Sequence, residues 1–330
     1  EMEYNTGLVD LDLTLVRMRQ LMEKTSETDF EMSGLYANVQ LPIYYGELLR
    51  AHEQTHTARK YIAFLNISYR KMLRVLLAVP MDKNEDYLQY LITFVLGGYW
   101  ETAGVPSYLE MTRVIMQRFS GMLCLVSKRV GKIARILSKD LFQTDPTFFD
   151  DIVQLARDDD PDRKLGAILD FADQCAFYHD FGRFSMHTER MMNTRERLDE
   201  EAQLDCLHTV AGYDLLISHA STAKFADTAL GHHAWYNGSD GYPKEYVRNQ
   251  SPYRQMTDVI ALAAWIQENY QGNMTKTAQA VFEKSGTQFS PLVTACLASR
   301  ELLDQLEAVL DEDDEQEYRE IYDSLIRAGR

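Results

Sequence analysis

The run "SYLEMTRVIMQRFSGMLCLVSKRVGKIARILSKDLF", residues 107 to 142, sets apolar side chains at helical spacing over a long span. A pattern of that period can bury one face only by laying a helix against other helices. "LVDLDLTLVRMRQLMEK" (8 to 24) repeats it, and residues 41 to 79 hold two further candidate helices. Strand-like alternation bounded by turn residues is scarce. The eight prolines fall mostly at expected helix boundaries, such as Pro42, Pro80, Pro106 and Pro146. The expected fold class is all-α.

A length of 330 residues suggests two domains. Proline with clustered acids marks a solvated turn at "QTDPTFFDD" (143 to 151), with "RDDDPDRK" (157 to 164) as a rival. The junction is placed near 145. Residues 1–145 then form a helical N-terminal domain that regulates or dimerises, and residues 146–330 a second helical domain. The acidic end "DEDDEQEYREIYDSLIRAGR" reads as a solvated helix rather than a binding arm.

A formal net charge of −16 disfavours a large nucleic-acid partner, whose backbone needs a basic surface. A small anionic substrate stays open, because bound metal ions reverse the local field. Cys124, Cys175, Cys206 and Cys296 are widely spaced and form no CxxC pair. They read as buried thiols of a cytoplasmic chain. No apolar run approaches the roughly 18 residues of a membrane helix, and no signal peptide is seen. A start at Glu1 suggests a fragment.

Chemistry concentrates in the second half. "FYHDFGR" (177 to 183), "CLHTVAGYDLL" (206 to 216) and "GHHAWYNGSDGYP" (231 to 243) supply His179, Asp180, His208, His232 and His233. Imidazole and carboxylate together suit iron, manganese or zinc. Taken singly, each histidine reads more simply as capped by a carbonyl or exposed at the surface. Taken in order, the segments resemble the HD-GYP domain family, over roughly residues 167 to 298. "YHDFGRFSM" is similar to that family's HD-x-G-K segment. "RLDEEAQLDCLHTVAGYDLL" is similar to its acidic helix followed by H-x3-G. "HHAWYNGSDGYP" is similar to its paired histidines and naming loop, and "AQAVFEKSGTQFSPLVTACL" to its closing helices.

The resemblance implies an all-helical domain that binds two divalent metal ions, with one or three as alternatives. Iron or manganese comes first and zinc next. It implies hydrolysis of a cyclic dinucleotide, cyclic di-GMP foremost, to a linear dinucleotide or GMP. His179, Asp180, His208, His232 and His233 would hold metal. Arg183, at the family's lysine position, would contact phosphate, with Lys276 as a second candidate. Gly241, Tyr242 and Pro243 would touch substrate or a partner domain, or simply form a rigid turn. Asp180 and Arg183 are the expected catalytic pair.

The sequence also departs from the family. Ala264 falls where an aspartate ligand is expected. Asp258 stands six residues earlier, rotated by roughly 600° and so off the required face. Ala234 replaces the glutamate after the paired histidines. No histidine occurs between 57 and 178 to serve as an upstream ligand, which leaves Asp150 and Asp151 as weak stand-ins. A catalytically degenerate module that binds a nucleotide or a GGDEF-type partner is therefore the rival expectation.

The first half holds a decoy. "AHEQTHTARKY" contains H-E-x-x-H at His52, Glu53 and His56, with Glu85 as a third ligand in a zinc-protease reading. Exposed histidines on a helix are the plainer reading. A third is a decayed HD-like copy, with Gly97–Gly98 where His–Asp would stand. Tyr44, Tyr45, Tyr61, Tyr69, Tyr87, Tyr90, Tyr99 and Trp100 are expected to fill a helical core and its edges.

Overall fold

The computed structural model describes residues 10–52, 59–80, 85–152, 154–155, 160–186, 198–313, 316, 318–320 and 323. The fold is all-α. Among the described residues there is no strand, only isolated bridges at Ala234–Gly241 and Ser285–Phe289. No described helix is long and apolar enough to cross a membrane. The chain divides into two compact units at Phe119/Ser120.

The first unit contains α1 (Leu11–Lys24), α2 (Met32–Leu35), a π-helical turn (Tyr36–Gln40), α3 (Leu41–Ala51), α4 (Arg59–Ala78), α5 (Glu85–Gly98) and α6 (Tyr108–Phe119). Asp10 starts α1 by accepting from Leu13 N at 2.7 Å. Lys71 ends it, donating from Nζ to the carbonyls of Met22 at 2.7 Å and Thr25 at 2.6 Å. Leu15, Val39, Ile43, Leu65, Met72, Val95 and Ile115 form its core.

The aromatic residues divide much as expected. Tyr45, Tyr69, Tyr99 and Trp100 are buried, whereas Tyr90 is exposed. Tyr69 and Tyr99 stack with ring centroids 4.3 Å apart. Their hydroxyls stay satisfied: Tyr69 Oη accepts from Trp100 N at 3.3 Å, and Tyr99 Oη donates to Pro106 O at 2.7 Å. Tyr108 Oη donates to Leu96 O at 3.0 Å. Burial of an aromatic ring is favourable only when such polar ends find partners. His52 caps α3 and Glu85 opens α5, while Glu53 and His56 lie outside the described residues.

The second unit is built on α7 (Gly121–Thr144) and α8 (Pro161–Tyr178), which pack along each other; α13 (Arg254–Asn269) also lies on α7. The expected junction near 145 thus falls at the end of a helix that belongs to the second core. Short helices carry the motifs: α9 (Phe181–Met186), α10 (Asp199–Cys206), α11 (His208–Ile217) and α12 (Ala223–Gly231). After α13 come α14 (Met274–Phe282), α15 (Pro291–Ala295) and α16 (Arg300–Leu310). Asp160 caps α8, accepting from Asp162 N at 3.0 Å, with Pro161 in the first turn. The described part of the acidic tail is ion-paired with α7: Glu320 with Lys128 at 2.7 Å, and Glu312 with Lys132.

Candidate metal centre

Three histidines stand at helix ends. His179 follows α8, His208 opens α11 and His232 follows α12. Each places Nδ1 on the carbonyl three residues back: His179 on Ala176 O at 2.6 Å, His208 on Asp205 O, and His232 on Ala229 O at 2.9 Å. A carbonyl can only accept, so a neutral ring keeps its single proton on Nδ1 and leaves Nε2 as a bare lone pair. Burial favours the neutral ring. It lowers the His179 pKa to about 4, against the pull of Asp180, and lowers that of His232 as well.

These lone pairs converge on one carboxylate. Asp180 Oδ1 lies 3.1 Å from His208 Nε2 and 3.4 Å from His232 Nε2; Oδ2 lies 3.5 Å from His179 Nε2. His208 Nε2 and His232 Nε2 face each other at 3.4 Å. His233 completes the group. Its Nε2 is buried without a hydrogen-bond partner, and its ring stacks on Tyr242 with centroids 4.6 Å apart. Burial, then His232 and His208, push its pKa well below the usual imidazole range.

Asp180, His208, His232 and His233 each offer a ligand atom within 4.8 Å of the others, and this buried group could hold a metal ion. His179 stands beside it, its ring 5.0 Å from that of His232. Facing lone pairs repel unless a cation lies among them, so the donor set and the orphaned His233 nitrogen fit a divalent ion with imidazole and carboxylate ligands. Burial opposes ionisation of Asp180. The Arg183 guanidinium is among the groups that oppose this effect of burial, and the balance holds the Asp180 pKa well below the carboxylate range.

A glycine fixes how closely the helices cross. A Cβ on Gly182 would stand 1.8 Å from His208 O and 2.8 Å from Gly212 N. The glycine spacings of "HDFG" and "HTVAG" are therefore the condition for Asp180 to reach His208.

The loop after the paired histidines folds back on them. Tyr242 N donates to His233 O at 3.3 Å and Trp235 N to Asp240 O at 3.2 Å. Gly241 sits at φ 83°, and a Cβ there would meet His233 O at 2.3 Å. The Tyr242–Pro243 peptide is cis. Distant backbone holds the loop from the other side: Tyr236 N donates to Gln288 O at 3.0 Å and Asn237 N to Thr287 O at 3.1 Å.

The remaining sequence candidates are placed differently. Arg183 is buried; its Nε donates to Asp180 Oδ1 at 3.0 Å and its Nη1 to Asp205 Oδ2 at 2.7 Å. Lys276 is exposed in the first turn of α14, where Asn273 Oδ1 accepts its backbone N–H at 2.9 Å. Ala264 is buried on α13. Asp258 is clamped by Arg248, whose Nε reaches Oδ1 at 2.8 Å while Nη2 takes Oδ2. Asp150 pairs with Lys164, and Asp151 with Arg254 and Gln255. Sequence reasoning missed Asp205. Its signal was a carboxylate three residues before His208, one helical turn from a candidate ligand.

No family model, curated protein or solved structure matches this chain.

Proposed function

We propose that the second unit is a divergent HD-GYP-type phosphodiesterase that hydrolyses a cyclic dinucleotide, cyclic di-GMP foremost, in the cytoplasm. The observation that carries this reading is the meeting of four ligand atoms, from Asp180, His208, His232 and His233, within 4.8 Å. They come from the segments whose order resembles that family. Divalent ions, two in the first instance and iron or manganese by preference, would supply Lewis-acid polarisation of a phosphodiester and a water acidified toward neutrality.

The chain's own residues do the rest. Asp180 would serve as a ligand; one of its oxygens lies toward His208 and His232 and the other toward His179. The carbonyl-held Nδ1 protons keep three Nε2 atoms aimed inward. Arg183, shared between Asp180 and Asp205, would lend its guanidinium to the charge balance beside a bound phosphodiester. Tyr242, stacked on His233, presents the Gly241–Tyr242–Pro243 loop at the site. In the hydrolysis, water oxygen bonds to phosphorus, one P–O ester bond breaks, and the departing ribose oxygen takes a proton.

A second reading has its own observation. Ala264 leaves the expected aspartate position without a carboxylate, and Asp258 is held by Arg248. A domain that binds metal and nucleotide, or a GGDEF-type partner, without turnover matches that loss. Purification with iron or manganese under reducing conditions separates the two. Metal per chain and turnover of cyclic di-GMP, cyclic di-AMP and 3′,3′-cyclic GMP-AMP are then measured. Turnover of any one supports the enzyme. Bound metal without turnover selects the second reading, and less than one metal per chain without turnover overturns both.

A further inference from the structure

Arg183 does not stand alone beside Asp180. Its guanidinium lies between two buried carboxylates, Asp180 at 3.0 Å and Asp205 at 2.7 Å, with all three side chains less than one-tenth exposed. The connection joins two segments that cross at Gly182, because Asp180 and Arg183 flank that glycine and Asp205 comes one turn before His208. Asp205 also acts through its backbone, whose carbonyl accepts from His208 Nδ1. One residue thus touches the outer side of two ligands, His208 through its main chain and Asp180 through Arg183.

Charge gives an independent argument. A lone Arg183 would neutralise Asp180 and compete with any cation for Oδ1. With Asp205 on its far side, the guanidinium is shared, and the buried trio keeps a net negative charge to offer a cation. Buried charges of this kind persist only when each is paired and hydrogen-bonded.

We propose that Asp205 is a positioning residue of the metal centre, acting through Arg183 to orient Asp180 and to preserve its charge for the ion. The proposal rests on the metal-binding part of the function proposed above. It adds that metal affinity depends on a side chain that binds no metal. Removing such an outer partner costs about 10–100-fold in metal affinity.

The test is titration of the metal-free chain with Mn(II), and with Fe(II) under anoxia, read as free Mn(II) by electron paramagnetic resonance and as bound iron per chain. Thermal melting of the metal-free protein runs alongside. Asp205→Asn keeps the carbonyl to His208 and removes only the charge; the expected result is Mn(II) binding weaker by about tenfold or more. Because a single charge loss can destabilise the fold, the second variant is Arg183→Met/Asp205→Leu, which removes both ions together. Its melting is expected to return toward wild type while its Mn(II) affinity stays below wild type, because Asp180, still charged, has lost the guanidinium that orients it. Wild-type affinity in a folded Asp205→Asn chain overturns the proposal and leaves the metal centre standing. So does wild-type affinity in the double variant, which would make the pair purely structural. A wild-type chain that binds neither ion overturns the metal centre and this proposal together.

Discussion

Two buried polar clusters, one in each unit, are built in opposite ways. In the first, the Tyr69, Tyr99 and Tyr108 hydroxyls each meet a backbone group of opposite character, so polarity is absorbed by packing. In the second, Nε2 of His208 and His232 face each other and an aspartate oxygen, while His233 Nε2 meets no partner. Stability alone favours the first arrangement, since an unmatched buried group costs about 1–3 kcal/mol. The second is intelligible as a site shaped for something the chain does not contain. The lesson is that burial of polar atoms says little; whether donors meet acceptors tells structure from function.

The sharpest way to break this contrast is Gly182→Ala. The added methyl collides with the His208 carbonyl, so the second unit is expected to lose about 3 kcal/mol or more. Calorimetry would show it, together with loss of metal binding. His208→Ala tests the contrast from the other side. Mn(II) affinity is expected to fall by more than about 100-fold, beyond the loss from an outer partner. The metal-free chain is expected to melt lower as well, because the buried ring and its bond to Asp205 O are lost, so affinity is read well below that transition. Retained affinity would show that His208 is not a ligand.

Acid gives the next effect. Buried His179 stays neutral down to about pH 4, whereas an unfolded imidazole takes up its proton near 6.5. The unfolded chain then binds more protons, so stability of the metal-free protein is full above pH 6.5 and declines as pH falls toward 4. Melting temperatures across that window should follow this sign, and a flat profile would remove the buried neutral imidazole. Smallest is Tyr69→Phe in the first unit. It leaves Trp100 N–H without its acceptor and should lower stability by about 1 kcal/mol in chemical denaturation, with Mn(II) affinity unchanged.

Much of this was legible in the residues. Helical periodicity gave the all-α class. The order of "HD", "H-x3-G" and the paired histidines pointed to Asp180, His208, His232 and His233, which the fold brings together in a group that could hold a metal ion. Other features were not legible, for physical reasons. Proline and acid clusters mark turns, but they do not say which core a helix joins, so α7 could not be assigned to the second unit from its pattern. Arg183 and Asp205 are 22 positions apart and meet only because two short helices cross. Asp258 could be set aside as a ligand from helical rotation, but its clamp by Arg248 required knowing where the loop returns.

The pins on the Gly241–Tyr242–Pro243 loop carry a consequence for synthesis. Every candidate donor from His179 to His233 emerges from the ribosome before Thr287 and Gln288, the residues whose carbonyls hold Asn237 and Tyr236. A chain released before Lys284 would own the complete donor set yet lack the bracket that holds the loop beside it. Premature termination there would separate the donor set from the backbone that fixes its neighbouring loop, two parts that the finished protein supplies together.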